Sequence, residues 1–293
     1  MFFYSPFWKL FETKLYLIIF FYFTLLYTYV KIKYQCEREV PMGEIVAIVS
    51  GKGGVGKTTL CAFLATALAL QDKKVVCIDC DTGLNNLDIA LGLEEKTIFD
   101  LSDVLSERTP LHKALVTHNR YRNLSMIPAA ADFRAHIEEK KLRELCKKLA
   151  QSCDYVLLDC PAGLGEGFAS AVYAADRALV VATPDITAIR DAGRAAALIV
   201  GMHPIPVQLI INRMRPAFVK KGYFENVDNI MDEIGLPLLG IIPEDEKVMV
   251  CANTRRSIFE EKKASAADAL VRIAWRLCGK QMPLSPLWRK KKF

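Results

Sequence analysis

The chain is predicted to be an α/β fold, a mainly parallel twisted sheet with helices on both faces. Three observations carry that expectation. Short apolar runs alternate with helical periods from residue 44 onward. The runs are nearly continuous, as in Tyr155-Val156-Leu157-Leu158 and Ala178-Leu179-Val180-Val181, which is how strands covered on both faces read. The first run leads into a glycine turn and then a helical stretch, the order strand, glycine loop, helix.

Taken in order, residues 44–50 (Glu-Ile-Val-Ala-Ile-Val-Ser) are the first strand, and residues 58–71, mostly apolar, are the helix behind the loop. Further strands are expected at 74–79, 124–128, 154–160, 177–183, 206–212 and 238–243. Helices are expected at 134–151, 167–175, 185–200, 225–234, 244–252 and 265–278, each from its apolar period. No repeat or low-complexity linker interrupts 42–282, which reads as one domain, and Pro283 and Pro286 end the regular structure.

Two stretches differ from this body. Residues 1–41 are rich in Phe, Tyr, Leu, Ile and Lys, with a 16-residue uncharged run between Lys14 and Lys31. A spanning helix needs about 20 apolar residues, so that run is borderline, and no Ala-x-Ala-like cleavage site follows it. The segment reads either as a membrane segment or as sequence ahead of a working start at Met42, which is the expectation. At the other end, residues 283–293 close with Leu287-Trp288-Arg289-Lys290-Lys291-Lys292-Phe293, four cations beside apolar and aromatic residues in a chain of net charge +6. That composition suits an anionic membrane surface. The nine cysteines lie mostly in apolar runs and read as small core residues of a reducing compartment.

The chemistry centres on Gly51-Lys52-Gly53-Gly54-Val55-Gly56-Lys57-Thr58-Thr59. Glycines let successive backbone N–H groups converge on phosphate oxygens, and the helix that follows aims its positive end at the same anion. Lys57 is placed for the β- and γ-phosphates and Thr58 for Mg²⁺. Lys52 is a cation that a simple cradle does not need. Polar residues end several other strands: Asp79-Cys80-Asp81, Asp159-Cys160-Pro161, Thr183-Pro184-Asp185 and Asn212-Arg213. In a parallel sheet these meet around one pocket beyond the C-terminal strand edge. An acidic strand end such as Asp159 is a natural Mg²⁺ partner, usually through a water. ATP is expected over GTP, because no Asn-Lys-x-Asp string for reading guanine is present.

With these residues quoted, residues 43–282 resemble the deviant Walker A P-loop ATPases of the ParA/MinD superfamily, most closely the septum-site-determining branch. The loop, the string from Asp79 to Asp88, Leu157-Leu158-Asp159-Cys160-Pro161-Ala162-Gly163, Ile189-Arg190-Asp191-Ala192 and Ile242-Pro243-Glu244-Asp245 carry the resemblance. It implies that Lys52 reaches across an ATP-bound homodimer to the partner's nucleotide, that Asp81 positions the attacking water, and that Asp159 supports Mg²⁺. It implies that Asn212, Arg213, Pro243, Glu244 and Asp245 lie near the adenine, and that Asp191 sits on the surface that meets regulators. Those regulators would be a MinC-like division inhibitor and a MinE-like topological factor, with nucleic acid not expected as a partner. The tail would place Leu287, Trp288 and Phe293 in the membrane, so that a cytoplasmic protein becomes peripheral on the inner face of the cell membrane when ATP-bound. Three positions depart from the pattern: Asn85 stands where arginine is usual, no glycine follows Asn253, and Gly193 replaces an acidic residue. The alternatives on the same fold are a partition or flagellar-number ATPase, and an iron–sulfur carrier, which needs cysteines placed to hold a cluster between subunits.

Overall fold

An eight-stranded sheet in the order β3-β4-β2-β5-β1-β6-β7-β8 forms the centre of the molecule. The structure, a computed structural model, describes residues 42–82, 86–132 and 136–285. The expected N-terminal membrane segment, the basic tail and Asn85 therefore lie outside the described residues. All described residues belong to the unit that begins at Met42.

The strands are β1 (Glu44–Val49), β2 (Val75–Asp79), β3 (Val116–Thr117), β4 (Leu124–Ile127), β5 (Tyr155–Asp159), β6 (Arg177–Ala182), β7 (Val207–Met214) and β8 (Leu238–Pro243). Every pairing is parallel except β3 with β4. Along β1, Ile45, Ala47 and Val49 enter one core layer while Val46 and Ile48 enter the other. This period of two, with both faces buried, is why the strands read as unbroken apolar runs.

One face is covered by α5 (Glu139–Ala150), α6 (Glu166–Ala174), α7 (Ile186–Met202) and α9 (Val227–Ile234), the other by α1 (Lys57–Ala69) and α11 (Ser265–Leu277). Smaller helices are α2 (Asn86–Leu91), α3 (Leu101–Leu105), α4 (Leu111–Ala114), α8 (Pro216–Lys220) and α10 (Glu246–Thr254). Side-chain caps set four of the α-helix starts: Asp100 accepts from Asp103 N–H, Asp185 from Ala188 N–H, Asn226 from Asn229 N–H and Asp245 from Lys247 N–H.

The expected helix at 134–151 begins only at Glu139. Its apolar stripe, Leu142, Leu145, Cys146 and Leu149, occupies the later turns, and the carbonyl of Ile137 accepts instead from Ser170 Oγ at 3.0 Å. Helices α2, α3, α4 and α8, and the two-residue strand β3, were not expected from periodicity. Each is shorter than the window over which a period can be recognised. Among the described residues, no helix is long and apolar enough to cross a membrane.

Candidate nucleotide site

The glycine loop follows the central strand β1, between β5 and β6, and so lies over the middle of the sheet's C-terminal edge. Ser50, fully buried, ties the turn by donating from Oγ to Lys52 O at 2.6 Å. Gly56 takes φ +93° as the N-cap of α1, and a Cβ there would meet Asn212 Nδ2 at 2.7 Å. Gly51 packs against α7, where a Cβ would come within 2.2 Å of Asp191 O. No side chain caps α1, so its first N–H groups face the loop's concavity as an anion-binding end.

Lys57 opens α1 and is only 7% exposed. Close by, Asp79 and Asp159 end the neighbouring strands β2 and β5 in register, each 1% exposed. Their surroundings differ. Asp79 accepts from Asp81 N–H at 3.0 Å and from Leu87 N–H at 3.2 Å. Burial pushes its carboxyl up to about 6, against those two bonds. Both oxygens of Asp159 lack a hydrogen-bonding partner among the described residues. Burial first, then the charge of Asp79, pushes Asp159 up to about 8, while the nearby Thr58 hydroxyl and Lys57 pull the other way without a hydrogen bond of normal geometry. Burial also raises Asp81, which is half-buried, and Lys57 counters it.

An orphaned buried carboxylate beside a threonine hydroxyl and an open helix N-terminus is what a hard divalent cation on a phosphate chain requires. The residues present therefore fit Mg²⁺, with Thr58 and Asp159 as the groups that would hold it.

Lys52 points away from this group. Its ammonium donates to Asp185 Oδ1 and Thr187 Oγ1, both at 2.9 Å. Burial would raise the Asp185 carboxyl, but the hydroxyls of Thr183 and Thr187, Lys52 and the Ala188 N–H together hold it well below the usual carboxylate range. Asp185 thus caps α7 and anchors Lys52, a double role that its sequence position alone did not distinguish. Asp191 lies on α7, with Arg194 at 3.6 Å and the loop's Gly51 behind it.

A cleft of about 420 Å³ opens beside the loop. Asn212, Arg213, Pro243, Glu244 and Asp245 all line it, together with Gly56 and Thr59 of the loop. Phe63, Met249 and Leu270 add apolar wall that the sequence reading did not single out. Asn212 Nδ2 donates to Val55 O at 2.8 Å, so it staples the glycine loop to the end of β7. The carboxylate of Asp245 is committed elsewhere: it accepts from Ser265 N, Ser265 Oγ, Ala266 N and Lys247 N, joining the starts of α10 and α11. It forms cleft wall rather than a free ligand group. Asn212→Ala should loosen the loop and weaken nucleotide binding by about five- to tenfold, the worth of one partly buried hydrogen bond. Titration of a fluorescent nucleotide measures this, and unchanged affinity would remove the stapling role.

Cys77 and Cys80 stand at C-x-x-C spacing, which the sequence reading passed over. The spacing falls on the end of β2, and the two thiols enter opposite core layers. Among the described residues, no group of three or more His, Cys, Asp or Glu is placed to hold a metal ion.

Residues 42–278 match the family model described as ParA, NUBPL iron-transfer P-loop NTPase. The chain is 40% identical over 254 residues to the septum site-determining protein MinD of Bacillus subtilis, covering 86% of this chain and 95% of that protein. Among solved structures it is similar to the MinC:MinD cell division complex of Aquifex aeolicus, with TM-score 0.78, 40% identity, and coverage of 83% of this chain and 99% of that one. It is also similar to MinD of Pyrococcus horikoshii complexed with Mg-ADP, with TM-score 0.72, 29% identity, and coverage of 80% and 96%.

Proposed function

The chain belongs to the MinD family of septum-site-determining proteins within the ParA-type P-loop NTPases, and from that footing we propose that it is an ATP-dependent, dimerising, membrane-cycling ATPase that places the division septum by recruiting a division-ring inhibitor. The observation that carries this reading is the division of labour between two lysines on one loop. Lys57 is buried at the foot of the cradle, while Lys52 is held outside it by Asp185 and Thr187. A lysine outside its own cradle is available to a second subunit's nucleotide. The site is then complete only in the dimer, and hydrolysis undoes what ATP assembles.

Each residue has a part in this scheme. The loop N–H groups and Lys57 hold and neutralise the phosphate chain. Thr58 and Asp159, the latter through water, hold Mg²⁺, which when bound supplies further charge neutralisation. Asp81, half-buried with a raised carboxyl, orients the attacking water. The cleft of Asn212, Arg213, Pro243, Glu244 and Asp245 takes the adenine. Asp191, on α7 and packed against Gly51, lies on the surface for a MinC-like inhibitor and a MinE-like regulator, a reading supported by the Aquifex MinC:MinD complex.

The septum-site reading is supported over a partition role by the 40% identity to a septum-site protein. It is supported over an iron carrier, despite the family model's description, by Cys77 and Cys80 facing opposite core layers.

In this scheme the protein is cytoplasmic until ATP pairs two copies, and Leu287, Trp288 and Phe293 then enter the inner face of the membrane. Seven residues at the tail bind weakly singly and gain by effective concentration in pairs. The test is sedimentation with anionic vesicles. The full chain should pellet with ATP and not with ADP, its ATPase should rise with vesicles, and a variant lacking 287–293 should lose ATP-dependent pelleting. Retained ATP-dependent binding by the truncated variant would overturn the tail's role. Absent ATP hydrolysis would overturn the enzyme reading.

A further inference from the structure

We propose that Arg255 is a positioning residue that ties the base-side wall of the cleft to the segment carrying Asp81. The observation is a backbone outlier with a partner. Arg255 ends α10 in the left-handed region, at φ +54°. A residue with a Cβ loses roughly 1–2 kcal/mol there, and glycine is the usual occupant of such a helix end. The arginine compensates with two contacts on one segment. Its Nε forms an ion pair with Glu94 Oε1 at 2.7 Å. Its carbonyl oxygen packs over Gly92, itself at φ +65°, where a Cβ would come within 3.3 Å.

These contacts join two sides of the nucleotide site. On one side, Val248, Met249 and Ala252 of α10 line the cleft. On the other, Glu94 follows α2, whose Leu87 N–H donates to Asp79 Oδ2, and the second oxygen of Asp79 accepts from Asp81 N–H. The turn after Arg255 is braced as well, by Arg256 on Glu261 at 3.4 Å and by Arg120 on Glu260 at 2.6 Å. A nucleotide base seated against α10 therefore bears on Arg255, and through Glu94 and α2 on the Asp79–Asp81 turn. This rests on the ATPase reading above, in which Asp81 orients water.

The experiment uses the full chain, its Arg255→Gly, Arg255→Glu and Glu94→Arg variants, and the Arg255→Glu/Glu94→Arg double variant. Two readouts are needed: steady-state ATPase, and hydrogen exchange of residues 86–94 with and without ADP. The Arg255→Gly variant should melt no lower than the parent, since glycine relieves the backbone. Its KM for ATP should stay within twofold while kcat falls about three- to fivefold, the worth of one partly exposed ion pair. The charge-swapped double variant should recover kcat from the two reversed singles. ADP should protect 86–94 in the parent and not in Arg255→Gly. Equal protection in both proteins would overturn the link, as would unchanged kcat or a joint loss of melting temperature, kcat and KM. A parent that shows the ADP-dependent protection but hydrolyses no ATP would sink the ATPase reading and leave the link standing.

Discussion

Lys52→Ala is expected to give a protein that binds ATP but stays monomeric at saturating nucleotide, with ATP hydrolysis reduced by about 10³-fold. The size follows from what a cation supplied across an interface does in phosphoryl transfer, where it stabilises charge at the transition state and is worth roughly 10³–10⁵ in rate. The fold should not notice the change. In the present structure the Lys52 ammonium bonds to Asp185 and Thr187, with side chains 35% exposed for the lysine and 43% for Asp185. An ion pair that open to solvent contributes about 0–1 kcal/mol. The variant should therefore melt within a few degrees of the parent while losing the dimer. Light scattering with ATP, beside a melting curve, reads both quantities. A Lys52→Ala protein that still dimerises with ATP would remove the cross-subunit role and with it the switch.

Asp159→Asn is expected to stabilise the nucleotide-free protein and to slow its catalysis sharply. Asp159 carries a folded-state pKa of about 8 against an ordinary value of 3.8, raised by burial and by Asp79. An acid whose pKa is raised by folding binds its proton more tightly in the native state. Stability therefore falls as pH rises from about 4 to about 8. At about 1.4 kcal/mol per unit the loss at pH 8 is on the order of 5 kcal/mol. An asparagine removes that loss but buries an unsatisfied amide, which costs about 1–3 kcal/mol. The variant should melt higher than the parent at pH 8 by roughly 5–10 °C, with the gap closing toward pH 5. Hydrolysis with Mg²⁺ should fall by about 100-fold, as for loss of a preorganised electrostatic group. Less thermal stability than the parent at pH 8 would show that the carboxylate finds a partner in the nucleotide-free protein. Retained hydrolysis would remove Asp159 from the Mg²⁺ site.

Stability is set against function at this strand end. Asp79 and Asp159 stand side by side on adjacent strands, yet among the described residues Asp79 is supplied with two N–H donors and Asp159 with none. Leaving one buried carboxyl without a hydrogen-bond donor costs stability, and in the proposed site that same carboxyl is the group that would hold the cation. Arg255 follows the same pattern on a smaller scale, a strained backbone held by contacts that serve the site.

Much of this was legible in the chain itself. The seven long strands, the loop and the strand-end residues Asp79, Asp159, Asp185 and Asn212 follow from apolar runs that end in particular polar residues, because strand period and strand-end chemistry are local properties, whereas Pro243, Glu244 and Asp245 were tied to the cleft by the family resemblance. The expected start of α5 was wrong because the apolar stripe does not extend to residue 134 and the carbonyl of Ile137 bonds to Ser170, 33 residues away. Asp245 illustrates the same limit. Its place in the motif identified it with the cleft, but its carboxylate is spent on the N–H groups of Lys247, Ser265 and Ala266.

The order of residues along the chain determined the parallel sheet, the phosphate loop and the identity of the groups around it, since each depends on neighbours within a turn or a strand. Only the folded molecule decided that Asp79 and Asp159 end side by side, that Lys52 rests on Asp185, that Asn212 staples the loop, and that Arg255 meets Glu94. Those pairings join residues about 80 to 160 positions apart. Such contacts are set by how β2, β5, β7 and α7 stack side by side, and a distance between residues remote in the chain has no counterpart in local composition or period.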